Sequence, residues 1–264
     1  ASPDNVHALV LARHGALVAE FYREGRDTPL DVRYGLGRGK PTRFGPADRH
    51  DMRSISKSVV SLLVGITVDR GALRVDQPFL DAYPEQGALR RGGRERITVQ
   101  DLLTMSAGLS WKEIGRGGAT SDETPLVWKR RPVPYYFRHR VVARPGEVFE
   151  YAGGATMALA DLLVRVNGKP LLQLAADDLF EPLGITDWEW VTNFHGVPLA
   201  HAGLRLRPRD LLKIGRLLDD GGVYDGRRIV SSAWIDASTQ PHVRTGLDFA
   251  SLAGEPVDYG HQWW

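Results

Sequence analysis

The sequence contains no cysteine among its 264 residues. This absence excludes disulfide bonds, cysteine nucleophiles and cysteine-ligated zinc. Lysine is also scarce, since only six of the 34 basic residues are Lys and the other 28 are Arg. Arginine stays protonated in proteins, whereas a buried lysine can lose its proton, so each lysine is a candidate chemical group.

Long apolar runs and a strong charge of one sign are absent as well. The longest apolar run covers residues 59–68 and contains a serine and a glycine, whereas a membrane-spanning helix needs about 20 residues. The net charge is +2, from 34 basic and 32 acidic residues, which gives no general electrostatic case for nucleic-acid or membrane binding. We therefore predict no membrane span and no nucleic-acid partner.

Two local patterns suggest other classes of protein but have simpler explanations. Residues 129–140 interleave five basic and three aromatic side chains, as a nucleic-acid face does. A solvated loop beside a half-buried aromatic helix produces the same pattern more often. His195 and His201 have no third ligand at a suitable spacing, so we predict no metal site.

The order of β-rich and helical segments predicts an α+β protein. Two β-rich runs, 7–12 and 16–22, predict an opening hairpin, and residues 25–50 are rich in turn formers and predict a loop. Helices are predicted at 54–70, 98–105, 134–139, 155–166, from 170 onward and at 208–219, and strands at 188–191 and 259–264. Strands at both ends and helices between them indicate an antiparallel sheet flanked by helices with a mostly helical insertion. We predict a sheet body from 1–70 and 205–264 and a mostly helical subdomain from 71–204.

Ser54 and Lys57 form the strongest chemical pattern. On a helix, residues three apart share a face, so the Lys57 amine can reach the Ser54 hydroxyl. A serine hydroxyl needs a nearby base to act as a nucleophile, and a desolvated lysine can be that base. The spacing alone is also compatible with a serine that caps the helix and a solvated lysine.

The surrounding sequence resembles the serine β-lactamase and penicillin-binding-protein superfamily. The similarity is greatest to its class C-like branch of esterases, DD-peptidases and nylon-oligomer hydrolases. The similar blocks follow the family's order over nearly the whole chain: HDMRSISKSVVSLLVG at 50–65, LLTMSAGL at 102–109, RPGEVFEY at 144–151, FEPLG at 180–184, GLRLRPRD at 203–210 and YGHQW at 259–263. The resemblance implies a β-lactamase/transpeptidase-like fold.

The resemblance also implies roles for individual residues. Ser54 would be the nucleophile, Lys57 its base or proton relay, and Tyr151 the second-motif tyrosine that shuttles a proton to the leaving group. A phenol can do this when a cation such as Lys57 lies beside it. A buried aromatic at a Gly-Gly turn is the structural alternative for Tyr151.

Two departures from the family's pattern concern the substrate side of the site. The family's usual Tyr-x-Asn is Tyr151-Ala-Gly153 here, so the amide that would hold Lys57 or a substrate carbonyl is absent. The family's third motif lies on a strand after the Tyr-Gly-x-x-Trp block, and this sequence ends at Trp264, before it. Arg244-Thr-Gly246 is similar to the Lys-Thr-Gly form of the family's third motif. We interpret this similarity as accidental, because these residues precede Tyr259 and the family's motif follows the corresponding tyrosine. We therefore expect C-terminal strands outside this sequence.

Trp111, Gly153 and the segment 121–123 lie near the motifs and are further candidates for the site. Trp111 follows the LLTMSAGL block and predicts either a wall of the substrate cleft or a core residue. Ser121-Asp-Glu123 resembles the Ser-Asp-Asn element of class A β-lactamases, but Tyr151 fits the second-motif role better. Gly153 is predicted to border the substrate because of its place in the second motif.

We predict a cofactor-free serine hydrolase that cleaves a small ester, amide or peptide through an acyl-enzyme on Ser54. A peptidoglycan peptide or a β-lactam is the less favoured substrate. The alternative is a non-catalytic ligand-binding relative, or an inactive fragment, of the same fold. The sequence begins with Ala1 and shows no signal peptide, so we expect a processed N-terminus, and compartment and oligomeric state stay open.

Overall fold

The computed structural model describes residues 6–31, 35–36, 40–115, 120–247 and 257–264. Its helices are α1 (Ile55–Asp69), α2 (Val99–Leu103), α3 (Pro132–Phe137), α4 (Gly153–Asn167), α5 (Leu171–Ala175), α6 (Pro208–Asp219) and α7 (Ser232–Thr239). The strands are β1 (Ala8–Arg13), β2 (Ala16–Tyr22), β3 (Glu24–Asp27), β4 (Leu30–Asp31), β5 (Gly35–Leu36), β6 (Lys40–Arg43), β7 (His50–Asp51), β8 (Trp188–Trp190), β9 (Leu204–Leu206), β10 (Val223–Tyr224), β11 (Arg227–Arg228), β12 (Val243–Arg244) and β13 (Asp258–Tyr259). Short 3₁₀ turns cover Phe79–Ala82, Pro84–Leu89, Arg94–Arg96 and Thr124–Trp128.

The described strands form small antiparallel sheets of two or three strands. β1 and β2 form the predicted opening hairpin, with Leu9 opposite Phe21. The loop prediction for 25–50 is wrong in part, because β3 pairs with β6 and places Gly25 opposite Thr42. Glycine and proline lower local strand propensity there, and the pairing depends on contacts between segments distant in sequence.

A three-stranded sheet beside the first helix combines segments from three parts of the chain. β9 lies between β7 and β8, in the order β7-β9-β8. Trp188 pairs with Leu206, and His50 pairs with the same residue from the other side. The sheet thereby holds the segment before Ser54 against the segment after His201. The strand predicted at 188–191 is confirmed.

Helix α1 is the central helix of the protein. The helix predicted from Ser54 is confirmed, and its residues from Ser56 to Thr67 are all buried. Burial differs along the helix, since Val59 and Leu62 are fully buried while Ile55, at its first turn, is 41% exposed. A helix buried on every side needs small or paired polar residues between its apolar ones, and α1 has serines at these positions.

Local sequence determines the ends of α2 and α4. Thr98 and Asp101 form the predicted capping box, because each side chain accepts a hydrogen bond from the other residue's backbone N–H. α4 ends at Asn167, and Gly168 follows it with a φ of 66°, a left-handed conformation that glycine adopts without strain. These helices and the predicted α6 are confirmed within one or two residues of their ends.

The C-terminal segment is held by a glutamine more than by strand pairing. β13 pairs with β12 over two residues only, so the strand predicted for 259–264 is wrong beyond Tyr259. Gln262 is buried, and its side chain accepts a hydrogen bond from Thr156 (2.6 Å) and donates to the carbonyls of Leu102 and Leu103 (3.1 and 2.9 Å). Its own carbonyl accepts from Ser58 at 2.8 Å. Gln262 therefore joins the segment to α1, α2 and α4.

The described elements agree with the predicted α+β class. β8 lies within the segment predicted as mostly helical, yet it pairs with β9, and α1 packs against α4 across the predicted division. The division into a sheet body and a helical subdomain stays a prediction. Within the described residues, no helix has the length and apolar character that crossing a membrane requires.

Candidate active site

Ser54 lies at the first turn of α1 with its hydroxyl free of any capping role. Ser54 occupies the N-cap position of α1, as the helix-cap interpretation expects, but its side chain makes no capping hydrogen bond to the helix backbone. Arg53, directly before it, has a φ of 47°. A left-handed conformation is uncommon for a long side chain, and such strain concentrates at functional sites. The Ser54 hydroxyl is therefore available for contacts with groups other than the helix backbone.

Lys57 is buried directly behind Ser54. Only 1% of the residue is exposed, so the solvated-lysine interpretation is wrong. Its Nζ donates to the Ser54 Oγ at 3.2 Å and to the backbone carbonyl of His201 at 2.8 Å. Burial penalises a charged amine, and these two acceptors are what the described site offers it in place of water. The pair has the geometry that a serine nucleophile and its base require.

Tyr151 completes the group that the sequence analysis placed together. The Lys57 Nζ lies 4.7 Å from the centroid of its ring, and Trp264 stacks on the ring at 5.5 Å. The loop around Tyr151 is held against the segment after α2, because the N–H of Ala152 donates to the Met105 sulfur at 3.0 Å. Tyr151 is buried, with 8% of the residue exposed, which agrees with its interpretation as a buried aromatic. It also contacts the candidate base, which agrees with its interpretation as a proton shuttle.

Trp111 has the core role that the sequence left open. Only 1% of it is exposed, so it does not line an open cleft, and the cleft-wall prediction is not supported. Its indole packs edge-on against Tyr136 at 5.4 Å, and a Cβ at Gly154 would lie 2.8 Å from it. Trp111 contributes to the site indirectly, because its Nε1 donates to the Glu113 carboxylate at 2.8 Å.

Glu113 and His201, which we did not predict as site residues, border Gly153, and Glu123 contacts His201. The N–H of Gly153 donates to the Glu113 carboxylate at 2.6 Å. His201, which we considered only as a metal ligand, has its Nε2 3.2 Å from the Glu123 Oε1. Two features of the sequence could have indicated these residues: Glu113 lies two residues after Trp111, and Glu123 ends the Ser121-Asp-Glu123 element. Neither signal states which residues meet in space.

The two carboxylates differ in their ease of ionisation. Burial raises the pKa of Glu113, with the charge of Glu123 adding to it, although Lys57 opposes the shift. Burial acts in the same direction on Glu123, but the hydrogen bond and charge of His201, with Lys57 and Arg53, outweigh it and leave the pKa of Glu123 below its ordinary value. Glu123 is therefore the carboxylate that stays ionised beside the candidate base.

Comparisons with known proteins identify the family of this chain. The sequence profile described as Beta-lactamase matches residues 8–264. The 6-aminohexanoate-dimer hydrolase of Paenarthrobacter ureafaciens is 27% identical over 270 residues, covering 97% of this chain and 63% of that protein. The D-alanyl-D-alanine-carboxypeptidase/endopeptidase AmpH of Escherichia coli strain K12 is 26% identical over 136 residues, covering 51% of this chain and 34% of that protein.

A solved structure shows the same fold. The octameric penicillin-binding protein homologue from Pyrococcus abyssi superposes with a TM-score of 0.70 at 21% identity, over 97% of this chain and 59% of that one. The chain thus spans less than two thirds of the length of these relatives. The predicted family resemblance and the predicted β-lactamase/transpeptidase-like fold are confirmed. The chain belongs to the beta-lactamase family, within the serine β-lactamase and penicillin-binding-protein superfamily.

Proposed function

We propose that this protein is a serine hydrolase that forms an acyl-enzyme on Ser54. The observation that carries the proposal is the contact between Lys57 and Ser54, in which a 99%-buried amine lies 3.2 Å from an uncapped hydroxyl. Burial of a lysine side chain carries a desolvation penalty. Buried ionisable groups with specific polar partners are concentrated at functional sites. The task of Lys57 here is to take the hydroxyl proton.

Acylation begins when the Ser54 Oγ attacks the substrate carbonyl carbon. The neutral Lys57 amine accepts the hydroxyl proton as the new C–O bond forms, and the carbonyl π electrons move to its oxygen. Hydrogen bonds from backbone N–H groups stabilise such an oxyanion, and the N-terminal end of α1 favours negative charge. The resulting tetrahedral intermediate carries a negative charge on the former carbonyl oxygen. Lys57 holds the proton that came from Ser54 and is now positively charged.

Collapse of the intermediate releases the alcohol or amine. The oxyanion reforms the carbonyl, the bond to the leaving group breaks, and Tyr151 donates its phenolic proton to the departing oxygen or nitrogen. Lys57, whose Nζ lies 4.7 Å from the centroid of the Tyr151 ring, then returns its extra proton to the phenolate oxygen by way of a water molecule. Water then attacks the ester of Ser54 by the same route, which frees the acid and regenerates the hydroxyl. Side chains and water carry every proton, so the scheme needs no cofactor.

We infer that a small ester or amide is the substrate class. One relative is named for hydrolysis of the 6-aminohexanoate dimer and another as a D-alanyl-D-alanine carboxypeptidase/endopeptidase, which supports an amide or peptide bond. The glycine at 153 leaves the second motif without its amide, so β-lactam hydrolysis is the less favoured activity. Ester cleavage is the least demanding test because its leaving group departs most easily.

Labelling with a fluorophosphonate tests the proposal directly. The Ser54 Oγ displaces fluoride and gains the phosphonyl group, which intact mass spectrometry and peptide mapping detect. We expect one adduct on the unaltered protein, none on Ser54→Ala, and an unchanged adduct on Ser232→Ala, an exposed serine control. Absence of any adduct would favour the alternative of a ligand-binding relative, because such a protein has no need of an activated serine.

A further inference from the structure

We propose that His201 and Glu123 act together as positioning residues for Lys57. In this arrangement a buried imidazole, fixed by an ionised carboxylate, holds the carbonyl that receives the lysine hydrogen bond. The inference deepens the proposed function and rests on it. It assigns a task to two residues outside the Ser54, Lys57 and Tyr151 group.

The first step is the direct contact between Lys57 and the His201 main chain. Of the two acceptors of the Lys57 Nζ, the His201 carbonyl is closer, at 2.8 Å against 3.2 Å for the Ser54 Oγ. The position of this carbonyl therefore decides where the amine stands relative to the hydroxyl. His201 lies in a tight turn, in which the N–H groups of Ala202 and Gly203 both donate to the Leu199 carbonyl.

The second step is the packing of the His201 ring against Gly153. A Cβ at position 153 would lie 3.0 Å from the His201 Cδ2 and 3.2 Å from the Glu113 Oε2. The imidazole and the carboxylate thus use the space that a side chain at 153 would need. The family's amide is absent at this position, and the structure has a different pair of polar groups there.

The third step is the clamp on the other side of the ring. The His201 Nε2 lies 3.2 Å from the Glu123 carboxylate, and 4% of the His201 side chain is exposed. Glu123 directly precedes the 3₁₀ turn Thr124–Trp128. The carbonyls of Leu126 and Lys129 accept hydrogen bonds from the buried Asn193 at 3.1 and 2.9 Å. These hydrogen bonds hold the backbone segment that carries Glu123, whose side chain is 36% exposed.

The charge of Glu123 has a consequence that packing alone does not have. Among the described residues, the titratable groups shown to act on or contact Lys57 are Glu113, Glu123, Tyr151 and His201, and the charge of Arg53 acts on Glu123. A carboxylate near an amine stabilises the protonated ammonium form. Removing that charge favours the neutral amine, which is the form that accepts the Ser54 proton. A neutral substitution at 123 should therefore move the acidic limb of the acylation profile to lower pH.

The experiment compares Glu123→Gln with Glu123→Asp and with Glu189→Gln, an exposed glutamate control. The rate of fluorophosphonate labelling is measured from pH 5 to 10, with kcat and KM for p-nitrophenyl butyrate and a thermal unfolding scan for each variant. We expect Glu123→Gln to shift the midpoint of the acidic limb down by at least half a pH unit. We also expect it to lower the plateau rate about tenfold, because a neutral amide holds the His201 ring more weakly than a carboxylate does.

Each outcome bears on one proposal. Glu123→Asp should restore the midpoint and most of the rate, and Glu189→Gln should match the unaltered protein. An unmoved midpoint with a changed KM alone would overturn the positioning role and assign Glu123 to substrate binding. If Glu123→Gln does not fold, a midpoint shift in Glu123→Asp as large as half a unit would overturn it as well. Failure of the unaltered protein to label would instead reject the proposed function.

Discussion

The side-chain nitrogen of Lys57 lies over the face of the Tyr151 ring, 4.7 Å from its centroid. The ring contributes in two separable ways. Its face attracts a cation by about 0.5–2 kcal/mol, and it packs against Trp264 at 5.5 Å. Its hydroxyl contributes to neither contact. Removal of the hydroxyl alone therefore separates proton transfer from the structural role of the ring.

We predict that Tyr151→Phe lowers kcat by about 10²-fold or more, since a positioned acid contributes 10²–10⁴-fold. Phenylalanine keeps the ring over Lys57 and beneath Trp264, so the thermal unfolding midpoint should change little. Hydrolysis of an amide substrate and differential scanning fluorimetry measure the two effects, and p-nitrophenyl butyrate serves as the comparison substrate. The loss should be larger for an amide than for this ester, because p-nitrophenolate leaves without a proton.

A matched variant shows whether the structural role matters. Tyr151→Ala removes both ring and hydroxyl, and it should destabilise the protein as well as inactivate it, because it leaves a cavity beside Trp264. If Tyr151→Phe retains more than a tenth of the kcat for an amide substrate, Tyr151 is a buried aromatic and another group protonates the leaving group.

Sequence alone was sufficient where the relevant physics is local. The start of α2 follows from its capping box, and the ends of α1 and α4 follow from a left-handed glycine after the last turn. The contact between Lys57 and Ser54 follows from residues three apart on a helix. The Tyr151 contact needed the family resemblance, because 94 residues separate it from Lys57 and no spacing rule connects them.

The remainder of the site depends on which distant segments meet. Glu113 and His201 converge on Gly153 from different loops, and no periodic pattern states this. Trp111 shows the same limit, since an aromatic residue after a motif is equally compatible with a cleft and with the core. The β3–β6 pairing joins segments with weak strand propensity, so its cause is also tertiary.

We predict opposite effects from two glycine substitutions in helices. A Cβ at Gly65 of α1 would lie 2.3 Å from the Trp234 Cδ1, so Gly65→Ala forces α1 and α7 apart and should cost about 1–3 kcal/mol. At Gly215 of α6 nothing lies within 4 Å of the new atom. Gly215→Ala should therefore be neutral or stabilise by up to about 1 kcal/mol, through helix propensity alone.

Urea unfolding of the two alanine variants measures both effects on one scale. The double variant Gly65→Ala, Trp234→Leu should recover part of the loss if the clash with the indole is its cause. A destabilisation of Gly65→Ala no larger than that of Gly215→Ala would contradict the close packing of α1 against α7.

His261 is buried in a place that disfavours its protonation. Only 3% is exposed, and neither ring nitrogen has a hydrogen-bond partner among the described residues. Its ring stacks on His242 at 4.3 Å. Burial first, and the His242 charge second, lower the pKa of His261 to about 3 from an ordinary value of 6.5. The next residue, Gln262, contacts α1, α2 and α4 through its backbone carbonyl and its side chain, so protonation of His261 destabilises a segment that connects three helices.

We predict that His261→Leu removes part of the acid sensitivity of the fold. Below pH 6.5 the unfolded chain binds a proton at this residue and the folded chain does not, so folding stability is complete above pH 6.5 and decreases as the pH falls toward 3. The pKa difference corresponds to about 2 kcal/mol already lost at pH 5. His261→Leu should flatten this decline and stabilise the protein slightly at pH 7, since it replaces unpaired buried nitrogens with carbon. Urea unfolding from pH 4 to 7.5 tests this against Val230→Ala, a buried control that should lower stability equally at every pH. An equal slope in the unaltered and His261→Leu proteins would show that His261 is protonated in the folded state as readily as in the unfolded one.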